Sequence, residues 1–140
     1  MAFHPYLFFG GNCREAFTRY QEIFGGELVL MTMKDAPSAE PVPTHLSELI
    51  MHAALTFDGN LLMASDDPTA DSVGPVQGMM VHYSVADAGE ATRVFEALAE
   101  GGTVTQAIGE TFWSPMFGMC VDRFGTPWMI GAEPPDERSA

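Results

Sequence analysis

Imidazole is the side chain of this sequence best suited to acid–base or metal chemistry near neutral pH. Three histidines stand in or beside short apolar runs: His4, His52 and His82. His52 shares a predicted strand face with Ala54 and Thr56, from which its ring could bond a substrate or carry a proton. His82 shares a predicted strand face with Met80. A histidine held by ordinary structural hydrogen bonds is the alternative at both positions.

Acidic and aromatic side chains give two further candidate groups. Asp66 and Asp67 directly precede Pro68, where carboxylates usually cap or solvate a turn, so a catalytic pair is not expected. Glu110 and Trp113 lie in a predicted loop near the C-terminus. The indole could stack on a planar ligand there, or it could cover the core as an aromatic lid.

The two cysteines, Cys13 and Cys120, are too few for a disulfide framework and lack metal-binding spacing. We expect free thiols that pack as small hydrophobic groups. A nucleophilic Cys120 would need positive surroundings, and Arg123 is its one cationic neighbour in the sequence. The sequence has no nucleophile elbow, no glycine-rich phosphate loop and no paired Cys or His spacing, which argues against hydrolases, nucleotide-binding proteins and zinc fingers.

Length and charge limit the class of protein. The 140 residues are 46% hydrophobic, enough for one domain with a substantial core. The net charge of −13 opposes binding to nucleic acid or to anionic membrane surfaces. No apolar run approaches the length of a membrane-spanning helix, and the first residues do not resemble a signal peptide. A cytoplasmic location is therefore predicted.

Two amphipathic helices must position these side chains. The first is predicted to start at Asn12 as N-cap, with Glu15 completing a capping box, and to end at Gly25-Gly26. Its apolar stripe is Ala16, Phe17, Tyr20, Ile23 and Phe24. The second helix is predicted to start at Asp87 and to end at Gly101-Gly102. Its stripe is Ala91, Val94, Phe95, Leu98 and Ala99.

Short apolar runs predict the strands at 4–9, 27–33, 50–57, 61–65, 79–85, 103–108, 117–121 and 127–130. The sequence Asp58-Gly59-Asn60 predicts one hairpin turn. A second turn is predicted at 122–125, where Gly125 can take positive φ and Asp122 can bond the turn backbone. Pro127 and Met129 should share one face of the last strand, and Trp128 and Ile130 the other, with one face lining a cavity and the other packing on a helix. The proline-bearing segment 35–47 is a candidate lid, and 132–140 is a predicted tail.

Read in order, the elements form a strand, a helix and three strands, and then the same series again. This predicts an α+β fold of two tandem βαβββ modules within a single domain, 1–140. Module 1 covers about 4–67 and module 2 about 78–131. Two curled mixed sheets packed together would leave a cleft, which is a common place for a ligand.

The chain resembles the PhnB-like branch of the vicinal-oxygen-chelate superfamily, which also contains glyoxalase I, extradiol dioxygenases and bleomycin resistance proteins. The resemblance spans roughly residues 4–131. It is carried by Pro5 to Phe9, by Tyr20 with Phe24-Gly25-Gly26, by His52-Ala53 before Leu55, by Leu62 to Asp66, and by Phe117-Gly118 through Trp128. It implies the glyoxalase/bleomycin resistance fold and a homodimer.

Metal-dependent members of the superfamily hold a divalent ion with four ligands from the first and fourth strands of each module. The resemblance places those positions at His4, Met63, Met80 and Met129. Three of the four are thioethers, which are weak donors for Mg, Mn, Fe(II), Ni or Zn. Three alternatives stay open: methionines that fill a dry adaptable pocket, a soft site for Cu(I), or an offset that brings in His52, His82 or Glu110.

The sequence therefore predicts a protein that binds a small apolar or aromatic ligand in a Met-lined cleft, without the usual divalent metal as cofactor. The expected pocket residues are His4, Met63, Met80, Met129, His52, His82 and Trp113. A metal-dependent glyoxalase- or dioxygenase-like enzyme is the alternative. No catalytic residue is assigned.

Overall fold

The computed structural model describes residues 2–35, 42–67 and 76–134. The chain divides into two compact units, Met1–Gly74 and Pro75–Ala140. Within these described ranges each unit contains one α-helix and one four-stranded sheet, which confirms the α+β fold with two βαβββ modules. No helix among the described residues is both long enough and apolar enough to cross a membrane.

The first unit follows the predicted order of elements. They are β1 (Tyr6–Phe9), α1 (Cys13–Phe24), β2 (Glu27–Thr32), β3 (Ile50–Phe57) and β4 (Asn60–Asp66). The sheet order is β1-β4-β3-β2, with β1 parallel to β4 and the other neighbours antiparallel. The turn between β3 and β4 has positive φ at Asp58 and Gly59, +46° and +77°, as its sequence predicts.

The core of the first unit lies between α1 and one face of this sheet. Phe17 and Tyr20 of α1 are fully buried, and the ring of Phe17 meets Phe9 of β1 edge-on at 6.2 Å. The sheet contributes every second residue of its strands to this face, since side-chain direction alternates along a strand. These residues are Leu7, Phe9, Ala53, Leu55, Leu62 and Ala64, all of them buried.

The second unit repeats the arrangement. Its elements are β5 (Val81–Val85), α2 (Ala88–Ala99), β6 (Thr103–Gly109), β7 (Met116–Val121) and β8 (Pro127–Ala132). The sheet order is β5-β8-β7-β6, with β5 parallel to β8. Asp87 caps α2 as predicted, because its carboxylate accepts hydrogen bonds from the backbone N–H groups of Gly89 and Glu90 at 3.3 and 3.2 Å.

The hairpin of β7 and β8 is the most buried part of the second unit. Trp128 and Ile130 are 2% and 0% exposed, and α2 packs on this hairpin. The turn confirms the expected chemistry: Gly125 has φ of +94°, and Oδ1 of Asp122 accepts hydrogen bonds from the N–H groups of Phe124 and Thr126 at 2.9 Å each. Asp122 Oδ2 also accepts a hydrogen bond from Nε1 of Trp128 at 2.9 Å.

The glycine pairs that follow the helices make matching contacts in the two units. A Cβ atom on Gly26 would lie 2.2 Å from the carbonyl oxygen of Thr56 in β3, and one on Gly102 would lie 2.2 Å from the carbonyl oxygen of Val121 in β7. Both oxygens belong to the third strand of their βαβββ unit. Only glycine fits at these positions, because the obstructing atom is main chain and cannot move aside alone.

Three local predictions are wrong. Asn12 makes no side-chain capping bond, because its φ and ψ of −111° and 22° are not the extended values of an N-cap, and Asp66 supplies the acceptor instead. The first strand begins at Tyr6 rather than His4, since Pro5 has no N–H to donate. The fifth strand begins at Val81 rather than Met79, after a turn in which Gly78 has φ of +82°.

The predicted lid, 35–47, lies partly outside the described residues. Its two ends are held together: Nζ of Lys34 lies 2.6 Å from Oε1 of Glu48, and the N–H of Met33 donates to the carbonyl of Leu49 at 2.8 Å. Short 3₁₀ turns stand at Met33–Asp35 and Thr44–Leu46. Pro68 and most of the predicted tail also lie outside the described residues, so the lid and the tail stay predictions.

Candidate functional site

The face of the first sheet opposite α1 carries a continuous row of side chains. Tyr6 pairs with Met63, Met63 with Ala54, and Ala54 with Val29, so the row crosses all four strands. Paired residues on neighbouring strands point to the same side of a sheet. Tyr6 and Val29 are 40% and 57% exposed, although both are largely apolar.

A tyrosine–histidine pair adds polar groups to this face. Oη of Tyr6 lies 3.2 Å from Nδ1 of His52, and the two ring centroids are 5.8 Å apart. The ring of Phe8 lies 5.4 Å from that of Tyr6 in a tilted arrangement, and Met31 pairs with His52 across the strands. The predicted face of His52, shared with Ala54, is the face opposite α1.

Partial burial, and then the neighbouring Cys13, raises the pKa of Tyr6 above its ordinary value. The phenol therefore keeps its proton at neutral pH and can donate a hydrogen bond. The pair can bond a ligand or move a proton along Oη and the imidazole ring.

The second sheet has an equivalent row on the face opposite α2. His82 pairs with Met129, Met129 with Met119, and Met119 with Gln106. The imidazole is exposed, and the two thioethers are half-buried. This row brings together two of the predicted pocket residues, His82 and Met129. The row can offer apolar contact, a titratable ring and an amide.

Trp113 lies in the loop between β6 and β7, next to this second row. Its ring meets Phe117 at 5.4 Å and Phe112 at 4.6 Å, both edge-on. Ser114 holds the loop: its N–H donates to Oγ1 of Thr111 at 3.1 Å, and its hydroxyl oxygen lies within hydrogen-bond distance of the carbonyl oxygens of Met116 and Ala132, to either of which its one proton can be donated. Trp113 remains 47% exposed, which leaves its indole surface available to a ligand.

The residues matched to metal-ligand positions do not all lie on strands. His4 is exposed and stands two residues before β1, and Met80 stands one residue before β5. The strand register instead pairs Met63 with Tyr6, and Met129 with His82. The four positions are divided between the units, with His4 and Met63 in the first and Met80 and Met129 in the second.

Within residues 2–35, 42–67 and 76–134, no three or more His, Cys, Asp or Glu side chains form a group able to hold a metal ion. The thioethers of Met63, Met119 and Met129 are soft donors and suit Cu(I) better than the divalent ions of the superfamily. Whether the protein works without a divalent ion stays a prediction.

The acidic pair predicted to be structural has that role at Asp66. This carboxylate is 2% exposed and accepts hydrogen bonds from three backbone N–H groups, those of Gly11, Cys13 and Ile50, at 3.0, 3.0 and 2.9 Å. It caps α1 and joins the start of this helix to the start of β3, from the end of β4. The backbone of Asp67 donates to the carbonyl of Phe9 at 2.8 Å.

Both thiols are buried and free, as predicted. Burial, and then the charge of Asp66, raises the pKa of Cys13 to about 12. Burial, and then the charge of Asp122, raises the pKa of Cys120 to about 11. Neither sulfur forms a thiolate at neutral pH, which removes both from the candidate nucleophiles.

Several side chains of the two faces were not predicted from the sequence: Tyr6, Phe8, Met31, Met119 and Gln106. Strand alternation gives each residue a side but not a cross-strand partner. The partner depends on register, and Tyr6 and His52 are 46 residues apart. The sequence did contain one signal. Side chains alternate between the two faces of a strand, so Tyr6 and Phe8 lie on the face away from the buried Leu7 and Phe9.

A family model described as 3-demethylubiquinone-9 3-methyltransferase matches residues 1–131. The crystal structure of protein PA1353 from Pseudomonas aeruginosa is 42% identical, covers 95% of this chain and 98% of its own, and has a TM-score of 0.86. Protein YjdN of Escherichia coli (strain K12) is 34% identical over 139 residues, covering 93% of this chain and 94% of its own.

Less similar structures share the fold. A putative 3-demethylubiquinone-9 3-methyltransferase, PhnB protein, from Bacillus cereus is 22% identical, covers 94% of this chain and 99% of its own, and has a TM-score of 0.70. Glyoxalase/bleomycin resistance proteins match at 13% and 12% identity. The chain belongs to the family described as 3-demethylubiquinone-9 3-methyltransferase, and it has the fold of the glyoxalase/bleomycin resistance proteins.

Proposed function

We propose that this protein binds a small apolar or aromatic molecule against the sheet face opposite α1, or against the equivalent face opposite α2, without the divalent ion used by metal-dependent relatives. One observation carries the proposal. The face opposite α1 exposes Tyr6, Phe8, Val29 and Met31 by 40%, 55%, 57% and 36%. Proteins seldom leave so many neighbouring apolar groups in water unless that surface binds something.

The methionines support the same proposal. Met63 stands in the row opposite α1, and Met119 and Met129 stand in the row opposite α2. Thioether side chains are flexible and polarizable, so they adapt to the shape of an apolar or aromatic ligand. They are poor ligands for hard divalent ions.

The alternative is a metal-dependent glyoxalase- or dioxygenase-like enzyme. The imidazole of His82 beside Met129 favours it, because that ring occupies the first-strand position next to the fourth strand. Metal analysis separates the two functions. Retention of one divalent ion per chain after purification, with loss of stability on chelation, would favour the enzyme.

Nile red, a neutral apolar dye, tests the binding function directly. A Val29→Asp variant puts a charge into the row opposite α1, and should weaken dye binding by about fivefold or more because the charge must lose water. Val104→Asp is the matched control: Val104 is 48% exposed and pairs with the buried Cys120, so it lies on the other side of its sheet. Equal dye affinity in the two variants would refute the proposed surface.

The homodimer implied by the family resemblance is part of the proposal. Light scattering coupled to size-exclusion chromatography measures it directly, and a species near 30 kDa, about twice the 15.2 kDa of one chain, is expected. A monomer at micromolar concentration would contradict it.

A further inference from the structure

The hydrogen bond between Tyr6 and His52 joins two strands that are not neighbours. In the sheet order β1-β4-β3-β2, Tyr6 on β1 and His52 on β3 are separated by β4. Oη of Tyr6 nevertheless lies 3.2 Å from Nδ1 of His52. The tyrosine side chain therefore extends over the sheet, on the face opposite α1, and brings two polar atoms together among apolar residues.

The hydrogen-bonding capacity of the pair follows from its proton count. A neutral phenol and a neutral imidazole carry two polar hydrogens in total, and one of them lies in the shared bond. If Oη donates to Nδ1, then Nε2–H remains free to donate and Oη to accept. If Nδ1–H donates to Oη, then the phenol O–H remains free to donate and Nε2 to accept. In both arrangements the pair offers one donor and one acceptor.

Three neighbours of the pair are apolar, and the hydroxyl of Ser65, which pairs with Phe8, already donates to the carbonyl of Asp66. The ring of Phe8 lies 5.4 Å from that of Tyr6, Met63 pairs with Tyr6, and Met31 pairs with His52. A ligand that covers this surface displaces water from the free donor and acceptor. A ligand without a polar group at that point leaves them unpaired, which weakens its binding relative to a similar molecule that carries such a group.

We propose that Tyr6 and His52 form a polar anchor that selects ligands with a carbonyl or hydroxyl group on an apolar body. This inference rests on the proposed binding function and names the class of ligand. The remaining side chains of the face would contact the apolar body, and the anchor would fix its orientation.

Two neutral probes of nearly the same shape test the anchor. 2-Acetylnaphthalene carries a carbonyl oxygen where 2-isopropenylnaphthalene carries a CH₂ group. Their dissociation constants are measured by fluorescence titration. Wild-type protein should bind the ketone about two- to tenfold more tightly, the range expected from one net hydrogen bond. The Tyr6→Phe/His52→Phe variant should bind the two probes equally while keeping its affinity for the alkene within about twofold.

Tyr83→Phe is the matched control, because it removes a phenol oxygen from a residue that pairs with the buried Ile130, on the side of the second sheet that faces α2. It should keep the preference for the ketone. Tyr6→Phe alone removes one oxygen from a residue that is 40% exposed, so it tests the anchor even if the double variant is unstable. Its preference should fall below that of the wild type.

A spectroscopic measurement does not depend on the variants folding. The ketone should shift the ring ¹⁵N signals of His52, and the alkene should leave them in place. Equal affinity of the wild type for both probes would overturn the anchor while leaving the proposed apolar surface intact. A ketone preference that survives in the double variant would also overturn the anchor. Failure of both probes to bind would overturn the proposed function as well.

Discussion

Replacing Asp66 with Asn should destabilise the first unit strongly, although the two side chains have nearly the same shape. Oδ1 of Asp66 accepts hydrogen bonds from the N–H groups of Gly11 and Cys13, and Oδ2 accepts one from the N–H of Ile50. The carboxylate is 2% exposed, so water cannot replace a lost partner. Asparagine keeps one oxygen but turns the other acceptor into a donor.

The size of the effect follows from these three bonds. Two bonds to Oδ1 become neutral, which costs about 1 kcal/mol each, since bonds to charged groups are worth roughly 1.5–3 kcal/mol and neutral ones about 1. The N–H of Ile50 then faces an NH₂ group and is left unsatisfied, at a cost of about 1–3 kcal/mol. The free energy of unfolding should fall by about 3–5 kcal/mol, a large part of the 5–15 kcal/mol typical of a domain.

Urea denaturation measures the loss, and amide hydrogen exchange at Gly11, Cys13 and Ile50 locates it. Asp58→Asn is the matched control, because Asp58 is exposed and its φ of +46° suits asparagine equally well. It should change the free energy of unfolding by less than about 0.5 kcal/mol. If Asp66→Asn were as mild as Asp58→Asn, the three backbone bonds would not be the main role of Asp66.

Three further predictions concern the thiols, the glycines and metal. Cys13 and Cys120 have pKa values of about 12 and 11 in the folded protein, so the unfolded chain ionises first. The free energy of unfolding should be unaffected below pH ~8.5 and should fall between pH ~9 and ~11, by up to about 1.4 kcal/mol per pH unit for each thiol. The Cys13→Ala/Cys120→Ala variant should lack this fall in alkaline denaturation curves. Native protein should not react with a thiol reagent at pH 8, and rapid reaction would contradict the burial. Gly26→Ala and Gly102→Ala should each lower stability in urea by about 3 kcal/mol or more, against about 1 kcal/mol for Gly59→Ala, where nothing lies within 4 Å of the added carbon. EDTA should leave the melting temperature unchanged, and a fall of several degrees would indicate a structural or catalytic divalent ion.

The fold was predictable because its signals are local. Asp58-Gly59 determines a two-residue turn, and Asp122 with Gly125 determines another, through backbone conformations that few other residues adopt. The apolar spacing of α1 and α2 identifies which side of each helix is buried. Elements of this kind depend on neighbours within a few positions, all visible in the sequence.

The site was only partly predictable because it depends on register. The capping role of Asp66 requires β4 to end beside the start of α1, more than 50 positions earlier in the chain. Which residue pairs with Met63 or Met129 depends on where β1 and β5 begin. Pro5 and Gly78 make these strands begin later in the sequence than predicted. Tyr6 and His52 meet across an intervening strand, a relation that periodicity within one strand does not contain.

The glycines that follow the two helices bear on how the halves of this protein can diverge. Gly26 and Gly102 each touch a main-chain oxygen, and a main-chain atom is present whatever side chains surround it. Mutations elsewhere can reshape the apolar interior of either half, but none can create room at these two points without bending a strand. Substitutions in the exposed rows can therefore change which ligand is preferred. The angle between each helix and the strand that follows it stays constant.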